Sequence, residues 1–338
     1  MKKVVTFGEL MLRLSSPGFE RLLQSPELQV SFGGGEANVA ISLARFGLDS
    51  FFVTCLPPHA LGDAAVRALR AESVRTEFVA RGGSRMGLYF AETGADPRPS
   101  VVVYDRAYSA ITEVEPEDVD WAAAFRSAQW FHTTGITPAL GPKPEACTRA
   151  ALEAAKRAGV TVSLDVNYRR KLWSEAEAQR VLRPLVEFVD ILVASEEDLH
   201  SALGISLPES VELGADRQRK LAERVAQQFG IQMVAITRRH PANTAEHGWT
   251  AVLYERATSA LFRSPRWDIN PVDRIGAGDS FAAGLIYAVV TGRSAERALA
   301  FAVAASALKQ TIPGDYNRVS VEEVDRLLRG VDGAEVQR

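Results

Sequence analysis

The stretch Asp273-Arg274-Ile275-Gly276-Ala277-Gly278-Asp279-Ser280-Phe281 concentrates residue types that can do chemistry. Two glycines one residue apart allow a tight turn and bring bare N–H groups close to a ligand. The apolar run that follows, as far as Val290, predicts a buried helix. Its unpaired N–H groups and positive dipole end would face one point. Such a point binds anions, phosphate most often. Asp279 then sits at the buried start of a helix, where a carboxylate is costly without a partner or a use. Two readings stay open for it: a helix N-cap, a role Asp fills well, or a general base beside an oxyanion or phosphate hole.

These residues need a frame. Val4 to Phe7 reads as a first buried strand, and Gly33-Gly34-Gly35-Glu36-Ala37-Asn38 leads into a helical pattern stopped by Gly47. A strand over 51–56 and a helix over 61–72 follow. Residues 86–92 and 100–104 are two strands joined through Asp96-Pro97-Arg98-Pro99, which predicts a small projecting sheet that pairs with residues 11–32. Strands are then expected at 128–132, 160–165, 190–194 and 233–237, alternating with helices at 144–158, 175–187 and 217–229. Ser195-Glu196-Glu197-Asp198 fits a capping pattern for a further helix ending at Gly204. Residues 249–255 and 259–267 look like an antiparallel pair; helices over 294–310 and 320–329 and a frayed tail over 331–338 close the chain. Buried strands alternating with helices mean a mostly parallel sheet covered on both faces. Ligands bind beyond the carboxyl ends of such strands, where Asn167, Arg169, Ser195 and Thr237 fall.

Composition narrows the function classes. The 338 residues are 46% hydrophobic, with a formal charge of −3, which gives no general attraction to nucleic acid. Cys55 and Cys147 make neither a disulfide framework nor a metal-ligand set, and the five histidines show no ligand spacing, so no protein-held metal is expected. The apolar stretches near 281–290 and 298–308 are too short to span a bilayer. With no signal peptide evident after Met1-Lys2-Lys3, a cytoplasmic protein is expected.

Two signatures together, Gly33-Gly34-Gly35-x-x-Asn38 near the start and Asp273-Arg274-x-Gly276-Ala277-Gly278-Asp279-Ser280-Phe281 near the end, resemble the ribokinase (PfkB-type) family of carbohydrate kinases. The resemblance covers almost the whole chain. It implies one three-layer α/β/α ribokinase-like domain over 1–338, with a mostly parallel central sheet. A small β-sheet lid is inserted in it, from about 11–32 and 84–110. Within the family the chain is most similar to 2-keto-3-deoxygluconate kinases. The residues are Gly8-Glu9-Leu10-Met11-Leu12-Arg13-Leu14, Tyr104-Asp105-Arg106, Asp165-x-Asn167-Tyr168-Arg169 and Pro313-Gly314-Asp315.

That resemblance implies ATP and Mg²⁺ as cofactors and a sugar acid as acceptor. Asp279 would take the proton of the 6-hydroxyl, while Gly276, Ala277 and Gly278 hold the transferring phosphoryl through backbone N–H groups. A substrate carboxylate suits the planar forks of Arg106 and Arg169; each could otherwise make a surface salt bridge. Tyr89 and Tyr104 would touch the sugar from the lid, or simply pack the sheet. Gly34, Asn38, Asp105 and Asp315 complete the sugar site, although Gly34 and Asn38 could equally serve a turn or cap and Asp315 a solvated loop. On the nucleotide side, Asn167, Ser195 and Thr237 match family positions near the phosphates and ribose. The family's T-x-G-x-x-G loop is missing, since Thr237 continues as Arg238-Arg239-His240-Pro241-Ala242. Arg239 would then bring charge to the phosphates, or the loop is rebuilt outward. Val303, with Ala302 and Ser306, would wall the adenine. A homodimer through the lid edges, or a multiple of it, is expected. The rival readings are a kinase for fructose or ribose and a non-catalytic sugar or nucleotide sensor. A dinucleotide-binding dehydrogenase is disfavoured, because Gly33-Gly34-Gly35 does not directly follow the first strand.

Overall fold

The computed structural model describes residues 1–95, 97–208, 215–240 and 247–330. In chain order its strands are β1 (Lys3–Phe7), β2 (Met11–Ser15), β3 (Gln29–Gly33), β4 (Asp49–Leu56), β5 (Val79–Arg81), β6 (Leu88–Glu92), β7 (Val101–Asp105), β8 (Ala128–Thr134), β9 (Thr161–Asp165), β10 (Ile191–Ser195), β11 (Met233–His240), β12 (His247–Glu255), β13 (Ala260–Arg263) and β14 (Trp267–Ile269). Ten of them form one sheet in the order β13-β12-β11-β10-β9-β8-β1-β4-β5, with β14 also on β12. From β11 through β5 every pairing is parallel, and the three pairings of β12 are antiparallel.

Side chains alternate across this sheet, as a pleated strand requires. Leu192 and Ala194 of β10 and Val234 and Ile236 of β11 enter one core, with helices Pro142–Arg157, Glu175–Val186, Glu196–Leu203 and Ala215–Phe229. Ile191, Val193 and Ala235 enter the other, with Gly35–Arg45, Ala277–Val290 and Ala295–Lys309. The layers are therefore helix, sheet, helix. The Ala277–Val290 helix is buried along most of its length, as its continuous apolar sequence predicts.

The second sheet has the order β3-β2-β6-β7. Residues 11–32 and the pair at 86–104 do join, through a parallel β2–β6 ladder flanked by antiparallel neighbours. Leu10, Leu12 and Met86 anchor it on Ile41, Phe52 and Leu69 of the main body. One boundary differs from expectation. The strand thought to end at Thr237 runs on to His240, because β12 pairs with it from Met233↔Glu255 to His240↔Gly248. A full-length antiparallel partner satisfies the backbone that the sequence suggested would be loop. Asp96, Pro241, Ala242 and the tail over 331–338 lie outside the described residues.

Candidate active site

A cavity of about 1390 Å³ opens between the small sheet and the carboxyl ends of β9, β10 and β11. Its lining includes Gly34, Asn38, Asp165, Asn167, Arg169, Ser195, Thr237, Gly276, Gly278, Asp279 and Asp315, with Tyr89, Tyr104, Asp105 and Arg106 on the small-sheet side. Residues from distant parts of the sequence thus share one space.

Gly276 caps the Asp279 helix at φ 82, in the left-handed region, and an added Cβ would overlap the carbonyl oxygen of Asp315. Glycine is required twice over. Among the described residues the N–H groups of Gly276, Gly278 and Asp279 have no acceptor, whereas Ala277 N–H donates weakly, at 3.3 Å, to the carbonyl of Arg274. The N–H groups left open at this helix start are therefore those of Gly276, Gly278 and Asp279, with Ala277 only weakly engaged. Gly276→Ala should cost roughly 1–3 kcal/mol of stability. Gly278→Ala, with nothing within 4 Å of the added atom, should leave urea unfolding unchanged.

Among the described residues the Asp279 carboxylate accepts no hydrogen bond from its own helix. Its Oδ2 accepts from Asn38 Nδ2 at 2.7 Å. Burial raises its carboxyl pKa to about 7; the Asn38 hydrogen bond and Arg169 pull the other way, while Asp315 and Glu36 add to the rise. A carboxylate held near neutrality, beside unpaired N–H groups, is equipped to accept a proton while an anion is stabilised next to it. Asp279 thus engages one of the two N–H donors of the Asn38 amide. Gly34 belongs to the same junction: a Cβ there would overlap the carbonyl of Glu9.

Several expected sugar contacts are already committed. Arg106 is not the free fork foreseen. Its Nε donates to Glu9 Oε2 at 2.8 Å and its Nη2 to the same oxygen, while Ser109 Oγ donates to Glu9 Oε1 at 2.7 Å. Glu9 is 3% exposed, and a buried carboxylate demands a cation. Tyr89 donates its hydroxyl to Asp315, whose other oxygen accepts from Arg13 Nη1. Asp105 accepts from Arg85 Nη1 at 3.0 Å. Tyr104 is 47% exposed, with its ring 5.8 Å from that of Tyr89. Arg169 has no carboxylate partner among the described residues and donates only to the carbonyl of Tyr168, at 3.1 Å.

On the other side, Asn167 follows β9 at φ 43, a left-handed position that Asn tolerates. Ser195 caps helix Glu196–Leu203 in a capping box with Asp198. Thr237 pairs with Ser195 and Ala251. Burial pushes the Asp165 carboxyl well above the usual range, with Asp198 and Asp279 adding to it. Val303 and Ser306 do not wall the cavity. Val303 is fully buried in the core, and Ser306 Oγ donates to the carbonyl of Ala277 at 2.7 Å, which ties down that helix start from behind. Trp249 of β12 lines the cavity instead. The Arg239 side chain lies outside the described residues. Sequence reading passed over Trp249. It used Glu9 and Arg13 only as parts of a motif, although a conspicuously charged Arg13 in a largely apolar strand was a usable signal.

Such a cavity, with a glycine-led helix start facing a near-neutral carboxylate beneath a second sheet, defines a phosphotransferase of ribokinase-like fold. The profile described as pfkB family carbohydrate kinase matches residues 1–321, and the chain belongs to this family. It is 36% identical over 330 residues to a 2-dehydro-3-deoxygalactonokinase of Haloferax volcanii, covering 98% of each chain. It is 30% identical to a 2-dehydro-3-deoxygluconokinase of Thermoproteus tenax, covering 98% of this chain and 95% of that one. The crystal structure of a 2-dehydro-3-deoxygluconokinase from Thermotoga maritima superposes with a TM-score of 0.93 at 47% identity, covering 97% and 98% of the two chains. The protein is an ATP-dependent carbohydrate kinase. Among the described residues no helix is long and apolar enough to cross a membrane.

Proposed function

We propose that the protein transfers the γ-phosphoryl of ATP to the 6-hydroxyl of 2-dehydro-3-deoxygluconate, the 2-keto-3-deoxy sugar acid. The observation that carries this reading is the pairing of Asp279, poised near pH 7 beside unpaired N–H groups, with the unclaimed fork of Arg169 in the same cavity. Asp279 accepts the hydroxyl proton. The N–H groups of Gly276, Gly278 and Asp279 hold the equatorial oxygens of the transferring phosphoryl in line as charge shifts toward the leaving ADP. Arg169 takes the substrate carboxylate, Tyr104 covers the sugar, and Asp315 and Tyr89 set the floor. Asn167, Ser195 and Thr237 run along the phosphates and ribose, with Trp249 as an aromatic surface for the base.

Among the described residues no three His, Cys, Asp or Glu side chains group as a metal cage. The cavity does present Asp165, an oxygen donor of the kind Mg²⁺ prefers, so the donor set fits an ion carried in on ATP with most of its water retained. When bound, that ion would neutralise phosphate charge.

A coupled phosphotransfer assay on 2-dehydro-3-deoxygluconate, 2-dehydro-3-deoxygalactonate, fructose and ribose tests the reading. Turnover should favour the acidic sugars by at least about tenfold. Preference for a neutral sugar would overturn the substrate, and absence of ATP-dependent turnover on the whole panel would overturn the assignment. The galactonate form stays in view because the 36% identical relative carries that name. Arg169→Ala should raise KM for the acid about 10–100-fold, the scale of a lost charge-assisted hydrogen bond, and leave weak turnover of fructose unchanged. The small sheet supports pairing of two copies: β3 and β7 are its edges, and Val30 and Val103 are 63% and 49% exposed. Light scattering across a dilution series measures it, a monomeric mass at every concentration being the contrary result.

A further inference from the structure

Lys309 ends helix Ala295–Lys309 and is fully buried. Buried lysines are rare unless an anion meets them. Among the described residues this one has no carboxylate within ion-pair reach. Its Nζ donates to two backbone carbonyls, of Asp273 at 3.1 Å and of Ile312 at 3.4 Å. Those carbonyls belong to the two segments that frame the phosphate cradle. One runs from Asp273 into Gly276; the other runs through Gly314 to Asp315, whose own carbonyl abuts Gly276. The stem of the lysine passes beneath this contact, since a Cβ built on Gly276 would lie 3.4 Å from Lys309 Cε. Gly314 N–H and Arg13 Nη2 meanwhile hold Asp273 Oδ2, at 3.0 and 2.9 Å. The carboxylates of Asp273 and Asp315 therefore have other partners, and the ammonium is left to the carbonyls.

The cost of this arrangement calls for an explanation. Burial lowers the Lys309 pKa, while the charges of Asp273, Asp315 and Asp279 oppose that fall. A Met or Leu at this position would fill the volume without desolvating a charge, and replacement of buried ions by apolar groups is often neutral or stabilising. Lysine's distinct contribution is a cation and up to three N–H donors behind the helix start.

We propose that Lys309 is a positioning residue for phosphoryl transfer. By bridging the carbonyls of Asp273 and Ile312, it keeps the turn into Gly276 at the geometry that aims the Gly276, Gly278 and Asp279 N–H groups. It also places positive charge behind them. The inference rests on the reading that this cradle holds the transferring phosphoryl. The transferring group is planar and in line between the two oxygens only in the transition state, so a loss of aim in these donors falls on kcat more than on KM.

Lys309→Met and Lys309→Ala, each checked by thermal melting, test it. Lys309→Met should lower kcat about 10–100-fold, with KM for ATP and sugar within about threefold of wild type. Lys309→Ala should regain at least about fivefold in kcat with ammonium or methylammonium chloride, but not with tetramethylammonium at equal ionic strength, because only the former donate hydrogen bonds. Calorimetry with ADP plus fluoroaluminate, a mimic of the transferring phosphoryl, gives a readout independent of the sugar. Affinity for the mimic should drop about tenfold in Lys309→Met while affinity for ADP alone holds. Unchanged kcat and mimic affinity in a folded Lys309→Met protein would overturn the proposal. So would losses that follow only a lowered melting temperature and respond to no amine. Wild-type inactivity on the sugar panel would instead sink the substrate reading, and the fluoroaluminate comparison would still decide the role of Lys309.

Discussion

Asp279→Asn is expected to lower kcat by about 100-fold or more and to leave the protein folded. The replacement keeps the shape, and its amide oxygen accepts the 2.7 Å hydrogen bond that Asn38 gives the carboxylate. What it loses is the ability to take a proton. The wild-type pH profile follows from burial, which holds this carboxyl at about 7 against an ordinary 3.8. The base works ionised, so kcat/KM for wild type should climb with pH below about 7 and level off above it. That limb should vanish in the variant. Stability moves the opposite way. A carboxyl whose folded pKa is raised contributes stability that is complete below the unfolded value, and this is lost as pH rises through about 7. The Asn variant carries no such term, so its melting temperature at pH 8 should equal or exceed that of wild type, with the advantage shrinking toward pH 4. Near-normal turnover would remove the base assignment, and a large fall in melting temperature at pH 8 would show that the carboxylate is structural.

Arg13→Leu should have the largest effect on stability, about 3–5 kcal/mol in urea unfolding, the scale for breaking a buried ion network. Arg13 lies on β2 with its side chain 5% exposed. It donates from Nη2 to Asp273 Oδ2 at 2.9 Å, from Nη1 to Asp315 Oδ1, and from Nε to Ser15 Oγ at 2.7 Å. Asp273 and Asp315 side chains are 9% and 3% exposed. Removing the guanidinium would leave two buried carboxylates facing each other across the space it filled. Both stand on the segments that frame the cradle, while Arg13 belongs to the small sheet, so the same change should loosen the docking of that sheet and raise KM for the sugar. Arg13→Lys should recover only part of either loss, because an ammonium cannot present a fork to two carboxylates and a hydroxyl at once. A destabilisation below about 1 kcal/mol for Arg13→Leu would place this triad among the weak surface pairs.

Local order in the chain made much of this molecule legible. The alternation of buried strands and helices, the glycine turn before Asp279, the Ser195 cap and the hairpin-like pair around 88 and 103 all follow from short-range causes. Backbone sterics restrict what a glycine turn can be, and side-chain periodicity decides which face is buried. The grouping of Asn167, Arg169, Ser195 and Thr237 was legible for the same reason, since a parallel sheet gathers its strand ends. The extension of β11 to His240 was not, because it depends on a partner strand and not on the residues of β11 themselves.

Charge partners were beyond local reading as well. Arg106 meets Glu9 across 97 positions, and Arg13 meets Asp273 and Asp315 across 260 and 302. A guanidinium has the same local sequence signature whether it waits for a substrate or closes on a buried acid. Helical periodicity gave Val303 and Ser306 a helix but not a neighbour, and packing against the Asp279 helix turned both into the core. Sequence alone thus determined the sheet, the glycine-led helix start and the carboxylate in its first turn, because each is written in a few adjacent residues. Only the tertiary structure decided which arginine stays open to a ligand and which acids are already neutralised, because a charge chooses its partner by distance in space after the sheets have set that distance.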